Sequence, residues 1–370
     1  MKKDLSSLEI HFILKELKLL VDQKIDQIYH PDKKELLLQF HVTGKGKHIL
    51  RIIAGKYLFL TETKEEYGEP SGFCMFLRKH LGNSRLRSIN QLGSERIVEF
   101  IFEKKDGKEK LIIELFGNGN ILLTDENHTI LSAVEYHRWK DREIRAKVEY
   151  QYPKRPINIF DLKLKDLKET IKNSNKESIV KTLAIDIGLG GLYSEEICLL
   201  TKLDKNKKPT EITENNIKKL SDEISNLLKN KIKAKIVYKE DELIDAVPFD
   251  LEIYNKNNKK EFETFSQTLD SYASSKKEVK KTPKQKQIEK LKRIIEKQQE
   301  KIKELGEKEK TQKERAELIY TNYKLIDEIL KEIKKASEKY SWDEIKEKLK
   351  GHKIIKEINT KDKKITITIS

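Results

Sequence analysis

The first stretch of the chain carries apolar residues at helical spacing. Ile10, Ile13, Leu14, Leu17 and Leu20 recur every three or four positions, which places them on one face of an amphipathic helix. Just before them, a serine at position 6 and a glutamate at position 9 have the Ser-x-x-Glu spacing of a capping box. The pattern predicts a helix that begins directly after this serine.

Eight short runs rich in β-branched and aromatic residues follow this helix. Turn residues separate them, for example Asp106-Gly107 and Asn118-Gly119, which indicates antiparallel hairpins in a sandwich or barrel. A short helix, residues 72–81, interrupts the series. We therefore predict an α+β domain over residues 1–158. The predicted strands are 25–29, 36–42, 49–53, 57–61, 96–103, 111–115, 120–124 and 130–135.

From residue 159 to 245 the pattern becomes largely helical, and a glycine-rich turn separates two apolar runs. Gly188, Gly190 and Gly191 lie in this turn, which predicts a helix-hairpin-helix domain. The backbone amides of such a turn, with the N-terminus of the next helix, can hold a phosphate. Alternatively, the glycines only allow two helices to pack closely.

The last third of the chain predicts a linker or middle segment (246–280), a coiled coil (281–350) and the start of a small β domain (351–370). Apolar residues alternate between a and d positions over about seven heptads. A single helix cannot bury such a seam, so we expect an antiparallel partner helix in a region that follows Ser370. The seam comprises Ile288, Leu291, Ile295, Ile302, Leu305, Ala316, Ile319, Tyr323, Ile326, Leu330 and Ile333.

Cationic side chains are concentrated between residues 72 and 98. The helical spacing places Arg78 and Lys79 on an exposed flank, and strand alternation places Arg85 and Arg87 on one face of the next segment. Arginine dominates here although lysine dominates elsewhere, and a guanidinium binds phosphate bidentately. Together with Arg96, these residues predict a nucleic-acid contact, whereas a solvated basic face is the alternative.

A second cationic run contains two aromatic residues. Arg138 and Lys140 lie between and beside Tyr136 and Trp139. Alternating aromatic and cationic side chains suit RNA, because bases stack on the rings while cations bind phosphate. Packing of Trp139 on the edge of the domain is an equal alternative.

Composition agrees with an anionic partner. The 370 residues include 77 Lys and Arg against 62 Asp and Glu, a formal charge of +15, which favours nucleic acid or an anionic surface. No apolar run reaches the roughly 20 residues of a membrane span, and the N-terminus lacks an apolar signal core, so we predict a cytoplasmic protein without a membrane partner. Two cysteines exclude a disulfide framework and a cysteine-rich zinc site. No metal, cofactor or catalytic motif is predicted.

Several motifs, in order along the chain, resemble the RqcH and NEMF family of ribosome quality control factors, also called NFACT or fibronectin-binding protein A-like. Besides residues 72–98, they are segments 114–125, 147–153, 262–272 and 316–323. The short turn in 114–125 is similar to the archaeal and eukaryotic branch. By this resemblance, the C-terminal RNA-binding domain of the family would lie beyond Ser370.

The resemblance implies both a fold and a function. The N-terminal domain is expected to be similar to that of formamidopyrimidine-DNA glycosylases. The protein would bind large ribosomal subunits obstructed by peptidyl-tRNA and recruit tRNA, so that untemplated residues, typically alanine, extend the stalled chain. A ubiquitin ligase or its counterpart is a further possible partner. Glu95 and Arg96 fall where the family has an Asp-Arg pair implicated in tRNA engagement, and glutamate lengthens the carboxylate by one methylene.

Three alternatives remain from the sequence. Glycosylase chemistry requires an N-terminal proline amine, and Lys2 and Lys3 stand there instead, so we expect no enzyme. An adhesin that binds fibronectin is the second alternative, and the missing signal core argues against it. The third is a general RNA- or DNA-binding coiled-coil protein without tailing activity.

Overall fold

The computed structural model describes residues 2–62, 68–105, 107–139, 142–153, 157–275, 283–352, 354–360, 362 and 364–368. The chain divides into two compact units, Met1–Lys277 and Glu278–Ser370. Each unit is described by itself.

Helix α1, Ser7–Leu17, confirms the predicted start. The Ser6 hydroxyl accepts a hydrogen bond from the Glu9 amide, and the Glu9 carboxylate accepts one from the Ser6 amide. A 3-10 turn, Lys18–Leu20, follows.

Two antiparallel sheets follow α1 and share one hydrophobic core. The first has the order β1-β2-β3-β4 and the second β5-β6-β7-β8-β9. Leu38 and Phe59 from the first sheet pack in the same cluster as Phe100 and Leu111 from the second, which confirms the sheet-rich α+β domain. The strands are β1 Ile25–Asp32, β2 Glu35–Val42, β3 Gly46–Ile53, β4 Tyr57–Thr61, β5 Arg85–Gln91, β6 Ile97–Lys104, β7 Gly107–Glu114, β8 Asn120–Thr124 and β9 Ile130–Ala133.

Helix α2, Gly72–Leu81, connects the sheets and buries Cys74, Leu77 and Leu81. A small hairpin, β10 His137–Arg138 and β11 Glu143–Ile144, follows the second sheet.

A helical layer forms a second core. It contains α3 Leu164–Asn173, α4 Ile179–Lys181, a π-helical segment Thr182–Ile187, α5 Gly191–Leu200 and α6 Glu214–Lys229. Leu8 and Phe12 of α1 belong to this core, whereas Ile10 and Ile13 belong to the core between the sheets. Helix α1 is therefore buried on two sides and joins both cores.

A third antiparallel sheet follows α6 in the first unit. It has the order β13-β12-β14, from β12 Lys235–Lys239, β13 Glu242–Val247 and β14 Asn258–Glu261. Helix α7, Phe265–Ser275, follows, and its Phe265, Leu269 and Tyr272 are buried in the core between the sheets. Residues 246–275 thus contribute core elements to this unit, where the sequence predicted a linker or middle segment.

The second unit contains two long helices, α8 Pro283–Thr321 and α9 Tyr323–Ser337, then α10 Trp342–Lys348, β15 Ile355–Asn359 and β16 Lys364–Ile367. The predicted seam residues Leu291, Ile302 and Ile319 are each more than half exposed. The coiled coil, which needs a partner helix, therefore stays a prediction. Among the described residues, none of the helices is long and apolar enough to cross a membrane.

Candidate nucleic-acid interface

A cleft of about 560 Å³ in the first unit brings together two motifs that lie almost 100 residues apart in the sequence. On one side is the turn between β5 and β6, with Ser94, Glu95 and Arg96. On the other side is the glycine-rich turn from Gly188 to the start of α5. The N-terminal segment lies between them. The lining residues include Lys2, Lys3, Asp4, Ser6, Ser7, Glu9, Ser94, Glu95, Arg96, Phe116, Gly188, Gly190, Gly191, Tyr193 and Asp245.

The β5–β6 turn is fixed by backbone hydrogen bonds. The Glu95 amide donates to Leu92 O at 3.0 Å, and the Arg96 carbonyl accepts from the Leu115 amide at 2.8 Å. Gln91 Nε2 also donates to Glu95 O at 3.0 Å. The Arg96 side chain makes a further contact, because its Nη1 lies 3.0 Å from Asp4 Oδ2. This side chain is 32% exposed. The guanidinium is thus held at the rim with part of its surface open to solvent.

The glycine-rich turn uses some of its amides internally. Gly188 has a φ of +92° and Gly190 a φ of +78°, a conformation that glycine adopts without steric cost. The Gly188 amide donates to Leu183 O at 3.2 Å and the Gly190 amide to Ala184 O at 3.2 Å. Only the first amides of α5 remain for a ligand, because those of Gly191 and Leu192 have no acceptor among the described residues.

Beneath the cleft lies a buried network that sequence reasoning missed. Lys2 Nζ contacts Glu9 Oε1 at 2.5 Å and Asp245 Oδ1 at 3.1 Å. Tyr193 donates its hydroxyl to Glu9 at 3.0 Å, and Tyr254 donates to Asp245 at 2.7 Å. Burial lowers the pKa of Lys2, but the attraction of both carboxylates outweighs this effect and raises the pKa to about 12. The network fixes the N-terminal segment to α1, α5 and β13.

The charge of the cleft is nearly balanced. Within the described residues, three cations, Lys2, Lys3 and Arg96, line it together with four carboxylates. Lys2 is neutralised by its two buried partners. The groups available to an anion are therefore Lys3, which is exposed, Arg96 and the first amides of α5. This arrangement suits one or two specific phosphate contacts rather than a continuous basic track.

Arg78 is more buried than the sequence pattern predicted. The sequence placed it beside Lys79 on an exposed flank, but only Lys79 is exposed. Arg78 is half-buried, and its Nε and Nη2 donate to Ile28 O at 2.9 and 2.8 Å. The guanidinium therefore attaches α2 to β1. A backbone carbonyl as acceptor leaves no signal in the sequence, which is why the pattern missed this contact.

We expect Arg78→Met to lower the free energy of unfolding by about 1.5–3 kcal/mol, because it removes charge-assisted hydrogen bonds to a half-buried carbonyl. The matched change Lys79→Met should alter it by less than about 0.5 kcal/mol, since the site is exposed. Urea unfolding of both variants measures the difference. Equal stabilities would show that the contact with Ile28 contributes nothing.

Arg85 and Arg87 flank the buried Leu86 in β5, and an irregularity between Leu86 and Ser88 interrupts the alternation from which a shared face was predicted. Arg85 Nη1 donates to Asp22 O at 2.5 Å, and Arg87 pairs with Asp22 at 2.7 Å and Glu103 at 2.6 Å. They lie six and four residues before the end of β5 at Gln91, about 20 and 13 Å along the strand at 3.3 Å per residue, and neither lines the cleft. The predicted arginines therefore do not form one cluster.

The second cationic run is partly described. Arg138 is exposed on β10, opposite Glu143 of β11, and no acceptor contacts its guanidinium within the described part of the chain. Lys140 lies outside the described residues. Nor does the described part contain a group of three or more His, Cys, Asp or Glu residues that could hold a metal ion.

The first unit thus defines a mixed α/β protein with two large antiparallel sheets, a smaller third sheet, a helical layer and the cleft described above. The fold is similar to the crystal structure of the fibrinogen-binding protein from Staphylococcus aureus, with a TM-score of 0.61 and 21% identity, over 72% of this chain and 98% of that one. It is also similar to the N-terminal part of the fibronectin/fibrinogen-binding protein from Streptococcus suis, with a TM-score of 0.59 and 21% identity, over 74% of this chain and all of that one.

Residues 6–369 match the family described as NFACT N-terminal and middle domains. The chain belongs to this family. It is 34% identical to the archaeal Rqc2 homolog aRqcH of Methanocaldococcus jannaschii, over 95% of this chain and 55% of the relative. It is 32% identical to the ribosome quality control complex subunit NEMF homolog of Drosophila melanogaster, over 58% of this chain and 22% of the relative. The chain thus spans about half, or less, of the length of these curated relatives.

Proposed function

We propose that the chain acts in cytoplasmic ribosome quality control. It would bind large ribosomal subunits obstructed by peptidyl-tRNA and recruit tRNA, so that untemplated residues, typically alanine, extend the stalled chain. Family membership and the names of its relatives support the general role. The observation that carries the tRNA contact is the cleft in which the Glu95–Arg96 turn faces the start of α5.

The contacts of Arg96 suggest how the cleft would bind RNA. Asp4 holds the guanidinium at 3.0 Å, and both side chains are partly exposed. A phosphate that binds at the rim can therefore replace Asp4 as the acceptor of the Arg96 guanidinium, or accept from it beside Asp4. Neither change leaves a buried charge without a partner. The amides at the start of α5 would supply a second contact, because a helix N-terminus favours an anion. Lys3 adds an exposed cation at the same rim.

In this proposal the chain binds and positions RNA and is not itself an enzyme. The ribosome would join the amino acids, and a ubiquitin ligase or its counterpart would act on the tagged product. The adhesin alternative is not favoured, because a likeness at 21% identity to fibrinogen-binding proteins supports a shared fold alone.

Co-sedimentation with large subunits that carry or lack peptidyl-tRNA tests this proposal, followed by sequencing of the co-purified tRNA. We expect Arg96→Ala to weaken tRNA recovery at least about tenfold, since a hydrogen bond between charged groups contributes about 1.5–3 kcal/mol. Glu95→Ala should also reduce it. Binding should weaken with salt, because each neutralised phosphate releases counterions, and the part due to the cleft should be small, since one or two phosphates are contacted there.

Arg87→Ala is the matched control, because it removes the same charge at the far end of β5. We expect a smaller loss than for Arg96→Ala. If both variants lose equally, binding follows net charge and the cleft has no special role. If the wild type shows no preference for occupied subunits and recovers no tRNA, the proposed function is wrong.

A further inference from the structure

The cleft described above has more carboxylates than cations. Its described lining residues contain three cations and four carboxylates, so their formal net charge is −1, although the whole chain carries +15. Proteins that bind nucleic acid by general attraction present a basic surface instead. Two of the carboxylates, Glu9 and Asp245, hold the buried lysine beneath the cleft. The other two, Asp4 and Glu95, lie in the same lining as Arg96, the side chain proposed to bind a phosphate.

Asp4 lies on a backbone segment that is anchored on both sides. On one side, the Lys2 amide donates to a carbonyl of β13 at 3.0 Å. The Lys2 carbonyl accepts from the hydroxyls of Tyr57 and Tyr272 at 3.1 and 3.2 Å. On the other side, Leu5 is fully buried, and its amide donates to a carbonyl of the β3–β4 turn at 2.9 Å. Only two residues separate these anchors, so Asp4 can rotate its side chain but stays at the rim.

The Asp4 carboxylate contacts the same group that a phosphate would need. Asp4 Oδ2 lies 3.0 Å from Arg96 Nη1, and the two side chains are 40% and 32% exposed. A phosphate that binds this guanidinium must lie within a few ångströms of the anchored carboxylate. The resulting repulsion is proportional to the charge of the ligand. A doubly charged phosphate is therefore repelled about twice as strongly as a singly charged one.

We propose that Asp4 makes the Arg96 site selective for phosphodiesters over phosphomonoesters. A phosphodiester, the internal phosphate of a nucleic acid chain, carries one negative charge. A phosphomonoester, as in a free nucleotide or at a chain end, carries nearly two above its second pKa of about 6. Specificity commonly requires such a repulsive element against the wrong ligand. The inference rests on the proposed function in that Arg96 binds a phosphate, and it adds which kind of phosphate the site accepts.

A structural role of Asp4 predicts the opposite sign. If Asp4 only orients the Arg96 guanidinium, its removal should weaken binding of every phosphate, because the donor loses its preferred position. If Asp4 repels the ligand, its removal should strengthen binding, and more so for the doubly charged ligand. The ratio between the two affinities therefore separates selectivity from orientation.

Two small ligands that differ by a single charge test the inference. Uridine 5′-monophosphate is nearly dianionic at about pH 8, and its methyl phosphate ester is a monoanion with the same base and sugar. Titration of the ¹⁵N-labelled chain, followed by NMR, gives both affinities from the signals of the Gly191 and Leu192 amides and of Arg96 Nε. At about 0.1 M salt the Debye length is about 10 Å, so distant charges contribute little.

We expect Asp4→Asn to strengthen binding of the methyl ester about fivefold and of the monophosphate about 25-fold, because two unit charges about 4 Å apart in water change an affinity about fivefold. The wild type should bind the methyl ester more tightly. Asp222→Asn is the matched control, because it removes the same charge from an exposed position on α6 that does not line the cleft. It should leave the ratio of the two affinities unchanged. Circular dichroism checks that both variants remain folded.

Equal gains for the two ligands, or weaker binding in Asp4→Asn, would overturn the inference. So would a lack of response of the cleft signals to either ligand in this variant. The titration contains neither ribosomes nor tRNA, so its result is independent of the co-sedimentation. If the ratio shifts while subunit binding fails, the selectivity of the Arg96 site stands and the proposed function falls. If co-sedimentation succeeds while the ratio stays constant, the proposed function stands without a selective role for Asp4.

Discussion

Replacing Lys2 with methionine is expected to lower the free energy of unfolding of the first unit by about 3–5 kcal/mol, the usual cost of removing one partner from a buried ion pair. The ammonium lies between Glu9 and Asp245, and the three side chains are almost fully buried. Without it, two carboxylates face each other away from water. The loss would also free the N-terminal segment that lines the cleft.

The effect should depend on pH in a defined direction. The pKa of Lys2 rises from 10.5 to about 12 on folding. A raised pKa means that folding favours the charged form, so the contribution is complete below pH 10.5 and is lost as the pH rises through 12. The difference in stability between wild type and variant should therefore be constant up to about pH 10.5 and should narrow above it.

Urea unfolding in a Trp342→Phe background, followed by circular dichroism and by the fluorescence of Trp139, measures this difference. Lys3→Met is the matched control, since the neighbouring lysine is exposed, and it should change stability by less than about 0.5 kcal/mol. If Lys2→Met were no more destabilising than Lys3→Met, the buried network would not stabilise the fold.

Gly119→Ala is expected to destabilise the first unit by more than about 3 kcal/mol. Gly119 has a φ of +67°, where an alanine costs about 1–2 kcal/mol. More importantly, its Cβ would overlap the backbone of Ala54 and Gly55. Neither can move easily, because the Gly55 amide donates to Glu114 O at 3.0 Å. The β7–β8 turn would have to separate from the β3–β4 turn, which opens the contact between the two sheets.

Gly117→Ala measures the backbone part of this effect alone, so that its difference from Gly119→Ala gives the steric part. Gly117 lies in the same turn with a φ of +56°, but nothing stands within 4 Å of a Cβ added there. We expect this variant to lose only the backbone cost of about 1–2 kcal/mol. Thermal or urea unfolding of the pair provides the measurement, and equal losses would mean that the turns do not need their close approach.

Local patterns in the sequence predicted much of the fold. The capping box of Ser6 and Glu9 marked the start of α1 because its partners lie three residues apart. Apolar alternation found eight strands of the two large sheets. It started β7 at Leu111 instead of Gly107, because residues 107–110 are polar and lie at the exposed end of the strand. Apolar and polar residues do not alternate at this polar end, so only its pairing with β6 identifies it as part of the strand.

The candidate site was less predictable. Family resemblance selected Glu95 and Arg96, and a glycine pattern selected the turn before α5, but nothing in the sequence indicated that the two meet. The roles of Arg78 and Arg85 were equally hidden, because both donate to backbone carbonyls. Every residue has such a carbonyl, so no residue type marks the acceptor.

By itself, the sequence determined the α+β class, the α1 cap, the antiparallel hairpins, the excess of positive charge and the resemblance to the family. These features depend on residues close together in the chain or on composition. The tertiary structure alone decided that Lys2, Glu9 and Asp245 form one buried network, that the cleft joins the β5–β6 turn to α5, and which arginines remain exposed. These contacts connect residues up to 243 positions apart, and they form only when burial of apolar side chains brings distant segments together.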